Sequence, residues 1–422
     1  MSGEKNKRKH IKDEWVDIGF QFSIKETDIQ KVRIAVHSQF DRFSDLDNCS
    51  YYIKKLEVHQ FGGWPIGGKS ADFKSRLIAF ADDFDPEVRN SIIGLDTIAS
   101  AYSYYCSHSG IPAKSINRYL HSSNPDIKVL KYFNAEMLND NSRLFKYIEK
   151  FHNEWIVRDN AGNYAEESKF HGNMIMDVTN PKYLEWITDR ILSEVVAGEF
   201  DGVFLDMVCA YYYAPYYTGD RLVSMVNGDI NSRMWRNGFI GFIKLLKQKN
   251  NGMMVIGNGI GLYNGDQYFS NKMDADKIIV ELDGLLIEEF AVRKVDGRPV
   301  CKKGKSLVND LLMLSELSGK GKYVWVSSLA AGDAWGADSE RIQEFYSASF
   351  LIASNDRSCL RLGNGSIERM KLNDAIAKMG RPVEGFVKSD FSNKESDYCR
   401  RFTSGMVCIN SVTNSSAISF GR

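Results

Sequence analysis

The feature that most constrains this fold is a series of short apolar runs that each end in a polar residue. Each run is continuously apolar rather than alternating, which is typical of strands covered on both faces. Helical sequence lies between them, and this alternation predicts a parallel α/β fold. Eight such units favour a closed (β/α)8 TIM barrel. The runs are VRIAVH (32–37), SIIGLD (91–96), IKVLKYFN (127–134), NMIMDV (173–178), DGVFLDM (201–207), MMVIGN (253–258), DGLLIEE (283–289) and KYVWVSS (322–328).

The clearest helix signal begins at TNP (179–181). Asn180 is a suitable N-cap, and Pro181 suits the first helical turn. Apolar residues then recur at helical spacing until Gly198, which is expected to end the helix. Those apolar positions are Leu184, Ile187, Ile191 and Val195.

The two ends of the chain depart from this repeat. The basic start MSGEKNKRKH predicts a flexible tail over residues 1–14, which leaves 15–357 for the barrel. From about Cys359 the sequence changes to short β-like pieces, CLRL and then YCRRFTSGMVCINS, with Thr, Ser and Gly turns. Residues 358–422 are therefore predicted to form a small β-rich appendage, with SVTNSSAISFGR as its edge.

Charge and hydropathy narrow the classes of partner. Lys plus Arg and Asp plus Glu both number 54, so there is no global basic field for nucleic acid. No apolar stretch approaches the ~18 residues that span a bilayer, so no membrane partner is expected. No apolar segment follows the basic start as it would in a signal peptide, and a cytoplasmic location is the expectation.

The spacing of the cysteines and histidines predicts neither a set of disulfides nor a metal site. The seven cysteines are scattered and odd in number, with no CxxC pair, so we expect reduced thiols. The seven histidines form neither HExxH nor HxH, which predicts no metal site. No cofactor is expected for the chemistry proposed below.

Active sites of α/β barrels lie at the C-terminal ends of the strands, so the residues that follow the apolar runs matter most. Acids and amides facing one mouth would suit a polyhydroxylated ligand. Any single member has a competing interpretation as a strand-end residue that caps the next helix. Asp177, Asn258, Asp96 and Asn134 are the candidates for holding sugar hydroxyls. The full set is His37, Asp96, Asn134, Asp177, Asp206, Asn258, Glu288 and Ser327.

Two members share a sequence template. DGVFLD (201–206) and DGLLIE (283–288) both read Asp-Gly, three apolar residues and a carboxylate, which puts Asp206 and Glu288 at equivalent strand ends. Two carboxylates flanking a sugar are the minimum machinery for glycoside hydrolysis. We predict Glu288 as the general acid and Asp206 as the nucleophile or base, with the reverse assignment as the alternative. Glu289 points to the opposite face and is kept as a neighbouring substrate-binding candidate.

Aromatic residues cluster in the same loops. Tyr211 follows Asp206, and Trp335 follows the last apolar run in SSLAAGDAW. Flat rings stack on the apolar faces of sugars, so both are predicted to bind substrate. The competing interpretation is that these rings pack the loops onto the barrel rim. The other members of this group are Tyr212, Tyr213, Tyr216, Tyr217 and Phe290.

Several of these segments resemble a known family. MIMDVTNP with a downstream Trp186, FDGVFLDM, LDGLLIEEF and YCRRFTSGMVCIN resemble the hypothetical glycosyl hydrolase family fifteen barrels, distant relatives of the α-amylase and polygalactosaminidase barrels. The resemblance runs from roughly Val32 to Asn410. It implies a TIM barrel with a C-terminal β-structure, a carbohydrate substrate, and Asp206 and Glu288 at the acidic strand ends. Proteins of this family are commonly exported, so the resemblance implies export, whereas the basic N-terminus without a signal peptide predicts a cytoplasmic location.

Two other functions stay open at this point. GWPIGGKS (Gly63 to Ser70) satisfies the P-loop pattern of nucleotide hydrolases, although the segment before it is too polar for a buried strand and Pro65 removes an amide. A non-catalytic carbohydrate-binding barrel would keep the aromatics without needing both carboxylates. Carboxyl groups more than ~10 Å apart, or at opposite barrel ends, would favour that binding function.

Overall fold

The computed structural model describes residues 76–77, 113–123, 125, 127–134, 136–167, 171–211, 222–328, 339–360, 379–383, 387–388 and 397–420. The chain divides into two compact units, Met1–Gly63 and Trp64–Arg422, and every described residue lies in the second. The predicted basic tail, the P-loop-like segment and the runs at 32–37 and 91–96 lie outside the described residues.

Strands and helices are numbered here in chain order. The strands are β1 (Arg76–Leu77), β2 (Leu130–Asn134), β3 (Met137–Asn139), β4 (Asn173–Ile175), β5 (Gly202–Asp206), β6 (Val223–Ser224), β7 (Gly228–Asp229), β8 (Met254–Gly257), β9 (Gly284–Ile287), β10 (Val292–Val295), β11 (Arg298–Cys301), β12 (Tyr323–Val326), β13 (Ser358–Leu360), β14 (Val387–Lys388), β15 (Asp397–Phe402), β16 (Gly405–Asn410) and β17 (Ser416–Phe420). The helices are α1 (Ala113–Ser123), α2 (Arg143–Phe151), α3 (Pro181–Gly198), α4 (Ser232–Lys249), α5 (Gly265–Ser270), α6 (Lys272–Ile279), α7 (Gly304–Gly319) and α8 (Ser339–Ala353). Within the described part of the chain, no helix is both long and apolar enough to cross a membrane.

A seven-stranded sheet organises the fold, in the order β1-β13-β12-β9-β8-β5-β2. Every pairing in it is parallel. Five of the predicted apolar runs supply β2, β5, β8, β9 and β12, and helices connect most successive strands. The predicted α/β class is therefore confirmed.

Helix α3 forms as its sequence predicts. The side chain of Asn180 accepts a hydrogen bond from the backbone N–H of Lys182 at 3.0 Å, and Pro181 occupies the first turn. The helix ends at Gly198, and Glu199 follows in the left-handed conformation with a φ of 54°. Its apolar stripe packs inward, where Ile187 and the other predicted positions are buried.

The Asp-Gly half of the repeated template has a structural role. The carboxylate of Asp201 accepts the backbone N–H of Val129, on the segment leading into β2, at 2.8 Å. A Cβ on Gly202 would lie 2.0 Å from the carbonyl oxygen of Met254, so only glycine lets these strands approach. The pair at 283–284 makes equivalent contacts with its own neighbours. Both dipeptides therefore align strands at the end of the sheet opposite Asp206.

The two faces of the sheet bury different clusters. The larger cluster combines one sheet face with the helices. The other contains one buried residue from each of six strands: Leu130, Phe204, Ile256, Leu286, Trp325 and Cys359. Within it, the rings of Phe204 and Trp325 stack with centroids 5.9 Å apart, although β8 and β9 separate their strands. Neighbouring strands lie about 4.8 Å apart, so this contact requires a strongly curled sheet.

One predicted strand of the parallel series is wrong. In the run 173–178, β4 pairs antiparallel with β3 in a separate two-stranded sheet. Ile175, Met176 and Val178 are nevertheless fully buried in the helix-side cluster, which is why the run is apolar. Continuous apolar sequence shows that a segment is covered, but it does not specify its partner strand.

The C-terminal region contributes to two sheets. Cys359, expected in the appendage, lies in β13, which pairs with β12 and β1 of the central sheet. The later segments form a four-stranded antiparallel sheet in the order β14-β15-β16-β17. Its centre is the predicted hairpin YCRRFTSGMVCINS, and β17 from the last segment forms an edge.

The expectation of reduced cysteines is wrong for one pair. Cys399 and Cys408 form a disulfide across β15 and β16. They are direct partners in the strand register, with Cα atoms 4.2 Å apart. The two positions are symmetric about the turn at 403–404, and that hairpin register, rather than a CxxC spacing, brings the thiols together.

Candidate active site

The cluster that contains Phe204 and Trp325 is called the inner cluster, and the sheet face that it covers is called the inner face. The polar residues of the site follow members of this cluster along the chain, on the same face. Because side chains alternate along a strand, Asp206 shares the face of Phe204, and Glu288 shares the face of Leu286. Asn134 and Asp206 are direct register partners on β2 and β5. The sheet therefore brings together five of the predicted strand-end residues on its inner face: Asn134, Asp206, Asn258, Glu288 and Ser327.

A single side-chain amide joins the two predicted catalytic carboxylates. The Nδ2 atom of Asn258 donates to Oδ1 of Asp206 at 3.0 Å and to Oε2 of Glu288 at 3.1 Å. These two distances limit the separation of Asp206 Oδ1 and Glu288 Oε2 to about 6 Å. The two N–H bonds of a planar amide diverge by about 120°, which corresponds to a separation of about 5.3 Å.

Asp206 is half-buried and accepts two further hydrogen bonds. The hydroxyl of Tyr132 donates to Oδ2 at 2.6 Å, and the backbone N–H of Met207 donates to Oδ1 at 2.9 Å. Met207 has a φ of 58°, a left-handed conformation that turns the chain sharply after the strand. Burial raises the pKa of the Asp206 carboxyl, against the lowering effect of the hydrogen bonds from Tyr132, Met207 and Asn258.

Two neighbouring polar atoms on the same face are buried. Asn258 is 5% exposed and Ser327 is 1% exposed. Within the described ranges, Asn258 Oδ1 and Ser327 Oγ have no hydrogen-bond partner. Such atoms are costly in a core, and their position beside the carboxylates is typical of a site that binds polar groups.

A buried ion pair supports the loop around Glu288. Lys302 lies 2.8 Å from Asp310, and the two side chains are almost completely buried. Asp310 also accepts the backbone N–H groups of Gly265 at 2.8 Å and Ala291 at 2.9 Å. These contacts tie the loop after β8 to the end of β9, on either side of Glu288.

The sequence of this site region matches a described family. The family model of the hypothetical glycosyl hydrolase family 15 matches residues 121–406, which is more than half of the chain. The chain belongs to hypothetical glycosyl hydrolase family 15. This match confirms the resemblance carried by the strand-end motifs, although over a shorter range than they suggest. No curated protein sequence matches the chain.

Several solved structures are distantly similar to this family 15 protein. The glycoside hydrolase domain of PelA from Pseudomonas aeruginosa has 11% identity and a TM-score of 0.44, covering 69% of this chain and 96% of that one. The α-galactosidase from Lactobacillus brevis has 8% identity and a TM-score of 0.47, covering 80% of this chain and 46% of that one. Ega3 from Aspergillus fumigatus, in complex with galactosamine, has 14% identity and a TM-score of 0.41, covering 70% and 94%. At this level they add nothing to the family assignment, which rests on the sequence match.

Other predicted site residues of the family 15 protein have local structural contacts. Asp177 is fully buried, and its carboxylate accepts hydrogen bonds from the hydroxyls of Thr179, at 2.5 Å, and Ser224. Asn134 accepts the backbone N–H groups at 136 and 137 at 3.1 and 2.9 Å, which caps the turn after β2. These contacts match the competing interpretation of strand-end residues as caps.

Glu289 and Tyr211 lie in loops near the carboxylates. Asn264 donates to the Glu289 carboxylate at 3.5 Å, so this side chain faces the loop after β8 rather than the Asn258 bridge. Tyr211 is partly buried against the loop at Gly261, which matches packing of the loops against one another. Asp96 and Trp335 lie outside the described residues.

Sequence reasoning missed two residues at this edge of the sheet. Tyr132 contacts Asp206. The sequence feature that could have identified it is its position two residues before Asn134, on the same face of the strand. Glu136 is fully buried, and the thiol of Cys209 lies 3.4 Å from its carboxylate. Across the described ranges, no group of three or more His, Cys, Asp or Glu side chains has the arrangement of a metal site.

Proposed function

We propose that this family 15 member hydrolyses O-glycosidic bonds of an oligo- or polysaccharide, with Asp206 and Glu288 as the catalytic carboxylates. The observation that carries this proposal is the Asn258 amide, which donates to both carboxylates and limits their separation to about 6 Å. Glycoside hydrolases use two carboxyl groups that flank the glycosidic bond, and two acids at this short distance at the end of a parallel sheet suit that role. Family membership supports the carbohydrate substrate class.

The proposal includes a closed barrel around this site. From β2 to β13 the sheet order follows the chain order, and its next neighbour is β1, the earliest described strand. Pairing of the first strand with the last is what closure requires. The remaining gap, between β1 and β2, corresponds to the position in the chain of the predicted strand SIIGLD (91–96). The stacking of Phe204 on Trp325 supports the same curvature.

The carboxylate separation favours a retaining mechanism. Retaining enzymes hold their two carboxyl groups about 5–5.5 Å apart, whereas inverting enzymes leave about 6.5–9.5 Å for a water. The limit of about 6 Å lies below the inverting range. One carboxylate therefore attacks the anomeric carbon directly, and the other carboxylic acid protonates the leaving oxygen. Water then releases the glycosyl group and returns a proton to the second carboxylate.

The hydrogen bonds around Asp206 support one assignment of the two roles. Burial raises the pKa of Asp206, and the hydrogen bonds that it accepts from Tyr132, Met207 and Asn258 oppose this by stabilising its ionised form. An ionised, fixed carboxylate is suited to nucleophilic attack. Glu288 is then the general acid in the first step and the general base in the second.

A non-catalytic binding barrel would have no need to hold two acids together. Bringing two carboxylates this close costs free energy whenever both are ionised. The separation also lies well under the ~10 Å that would favour binding alone. The Asn258 bridge thus supports catalysis over simple carbohydrate binding.

The test is release of reducing sugar from a panel of polysaccharides by the full chain and by Asp206→Asn and Glu288→Gln. Both variants should lose at least ~100-fold of the activity, since each removes a reacting group. The matched controls are Asp201→Asn and Asp283→Asn, which remove carboxylates at the opposite ends of the same strands. These should lower stability and leave the activity of folded protein unchanged. Activity that survives both site variants would rule out this pair, and polymer binding without hydrolysis would favour the binding function.

A further inference from the structure

Tyr132 lies where a side chain from a neighbouring strand can act on the carboxylate of Asp206. Its hydroxyl donates to Oδ2 at 2.6 Å, which is shorter than the hydrogen bonds that Asp206 accepts from Met207 at 2.9 Å and from Asn258 at 3.0 Å. Its ring stacks on Phe204 with centroids 6.0 Å apart and an interplanar angle of 19°. Tyr132 and Phe204 are also direct register partners. The hydroxyl is therefore held in place by the strand pairing and by the ring stack.

The two oxygens of Asp206 have different surroundings. Oδ1 accepts hydrogen bonds from Asn258 and from the backbone of Met207, which occupy its two lone-pair positions. Among the described residues, Oδ2 accepts one, from Tyr132. An oxygen with two donors is a poor nucleophile and suits the carbonyl oxygen of an ester. The oxygen with one donor retains a lone pair that can attack carbon.

We infer that Oδ2 of Asp206 is the nucleophilic atom and that Tyr132 is a catalytic residue that acts on it. This inference rests on the proposed function. In the first step the Oδ2–carbon bond forms at the anomeric centre, the glycosidic carbon–oxygen bond breaks, and the Glu288 proton passes to the leaving oxygen. In the second step water attacks the same carbon, its proton passes to Glu288, and Oδ2 leaves with its electron pair. Tyr132 keeps its proton throughout.

The hydroxyl of Tyr132 matters most when Oδ2 carries charge. Negative charge builds on Oδ2 as the carboxylate leaves in the second step, and a short hydrogen bond to it is then strengthened. The same bond favours the ionised form of Asp206 and so opposes the raising effect of burial on its pKa. Loss of the hydroxyl should therefore slow the release of the glycosyl group more than its attachment, and should also raise the pH at which Asp206 ionises.

Tyr132→Phe tests this inference in the full-length protein, with Tyr323→Phe as the matched control. Tyr323 packs against the same inner cluster but lies at the start of its strand, away from Asp206. The first readout needs no substrate: NMR titration of 13C-labelled aspartate, with Asp206→Asn to assign the signal. We expect the pKa of Asp206 to rise by about one unit in Tyr132→Phe and not in the control.

The second readout is turnover of whichever polysaccharide the reducing-sugar panel identifies. Tyr132→Phe should lower kcat by at least ~10-fold and lower kcat/KM less, because release of the glycosyl group becomes limiting. An unchanged Asp206 titration, or a kcat within about twofold of wild type, would overturn the inference. A wild-type chain inactive on the whole panel would overturn the proposed function, and with it the catalytic role. The titration would still show whether Tyr132 acts on the carboxylate.

Discussion

The rings of Phe204 and Trp325 stack 5.9 Å apart, although two other strands separate β5 from β12 in the sheet. The same curvature explains how the acidic pair meets. Asp206 ends β5 and Glu288 directly follows β9, and β8 lies between these two strands. In a flat sheet these strands would lie about 9.6 Å apart, twice the spacing of neighbours. The curl points the side chains toward one another, and Asn258, directly after the middle strand, bridges the remaining distance.

Replacing the carboxyl of Asp206 should stabilise the protein while it abolishes activity. Burial raises the pKa of Asp206, so the folded state holds its proton more readily than the unfolded chain does. Wild-type stability therefore falls as the pH rises from the ordinary aspartate value through the raised one, and the loss is complete above it. In Asp206→Asn the side chain does not ionise, so the variant does not lose this stability as the pH rises. Its amide oxygen can accept from Asn258 and Met207, and its NH2 group can donate to the Tyr132 oxygen.

We expect Asp206→Asn to raise the free energy of unfolding by about 1 kcal/mol at neutral pH. The measurement is urea unfolding of wild type and variant between acidic and neutral pH. The gain should disappear below about pH 4, where both states of the wild type are protonated. A gain that is the same at every pH would mean that packing, and not the buried charge, accounts for it.

Asn258→Ala should separate the two carboxylates without removing either. The variant loses the amide that donates to Asp206 and Glu288, so both acids gain freedom and repel one another when ionised. We expect kcat to fall by about 100-fold, the effect of a displacement of about 1 Å at a reacting group. Steady-state kinetics would measure it, with circular dichroism to verify folding. Activity within a few-fold of wild type would show that the bridge does not set the geometry.

The first product formed should have the same anomeric configuration as the substrate. This follows from the limit of about 6 Å between the two oxygens bridged by Asn258, which lies below the range that leaves room for a water in inverting enzymes. Proton NMR of the early reaction would distinguish the two anomers before mutarotation mixes them. Inverted product would place the base farther from Glu288 than the Asn258 bridge allows, and would exclude Asp206 as the nucleophile.

The sequence predicts the positions of Asp206, Asn258 and Glu288 because each is the first polar residue at the end of an apolar run. A strand buried on both faces can end in an acid or amide only where its end opens to solvent or a partner, so strand ends predict polar sites. The inner face follows from side-chain alternation alone. These two rules are local, and they apply without knowledge of which strands are neighbours.

Tyr132 and the β4 pairing depend on non-local information. A tyrosine in the middle of an apolar strand has the same sequence signature whether its hydroxyl faces a carboxylate or solvent. Similarly, the run at 173–178 is as apolar as a central strand, although it pairs with residues 137–139. Asp177 is another such case, since an acid at the end of this run is expected near the site but bonds to Thr179 and Ser224.

The buried guanidinium of Arg400 joins the C-terminal sheet to the last helix of the central fold. Its Nη1 atom donates to the carbonyl oxygens of Leu351 at 2.9 Å, Ile352 at 3.2 Å and Ser354 at 2.7 Å, at the end of α8. A cation at a helix C-terminus is favoured by the helix dipole as well as by these hydrogen bonds. Helix α8 leads directly into β13 of the central sheet.

Arg400→Met should therefore destabilise the protein by about 3–5 kcal/mol, because it leaves buried carbonyls without a charged donor while keeping the side-chain volume similar. Arg401→Met is the matched control: this neighbour is exposed on the opposite strand face, and its replacement should change stability by less than about 0.5 kcal/mol. Urea unfolding would measure both, and limited proteolysis would show whether β15 to β17 are released first. Equal stability of the two variants would mean that packing of the sheet, rather than Arg400, holds it on α8.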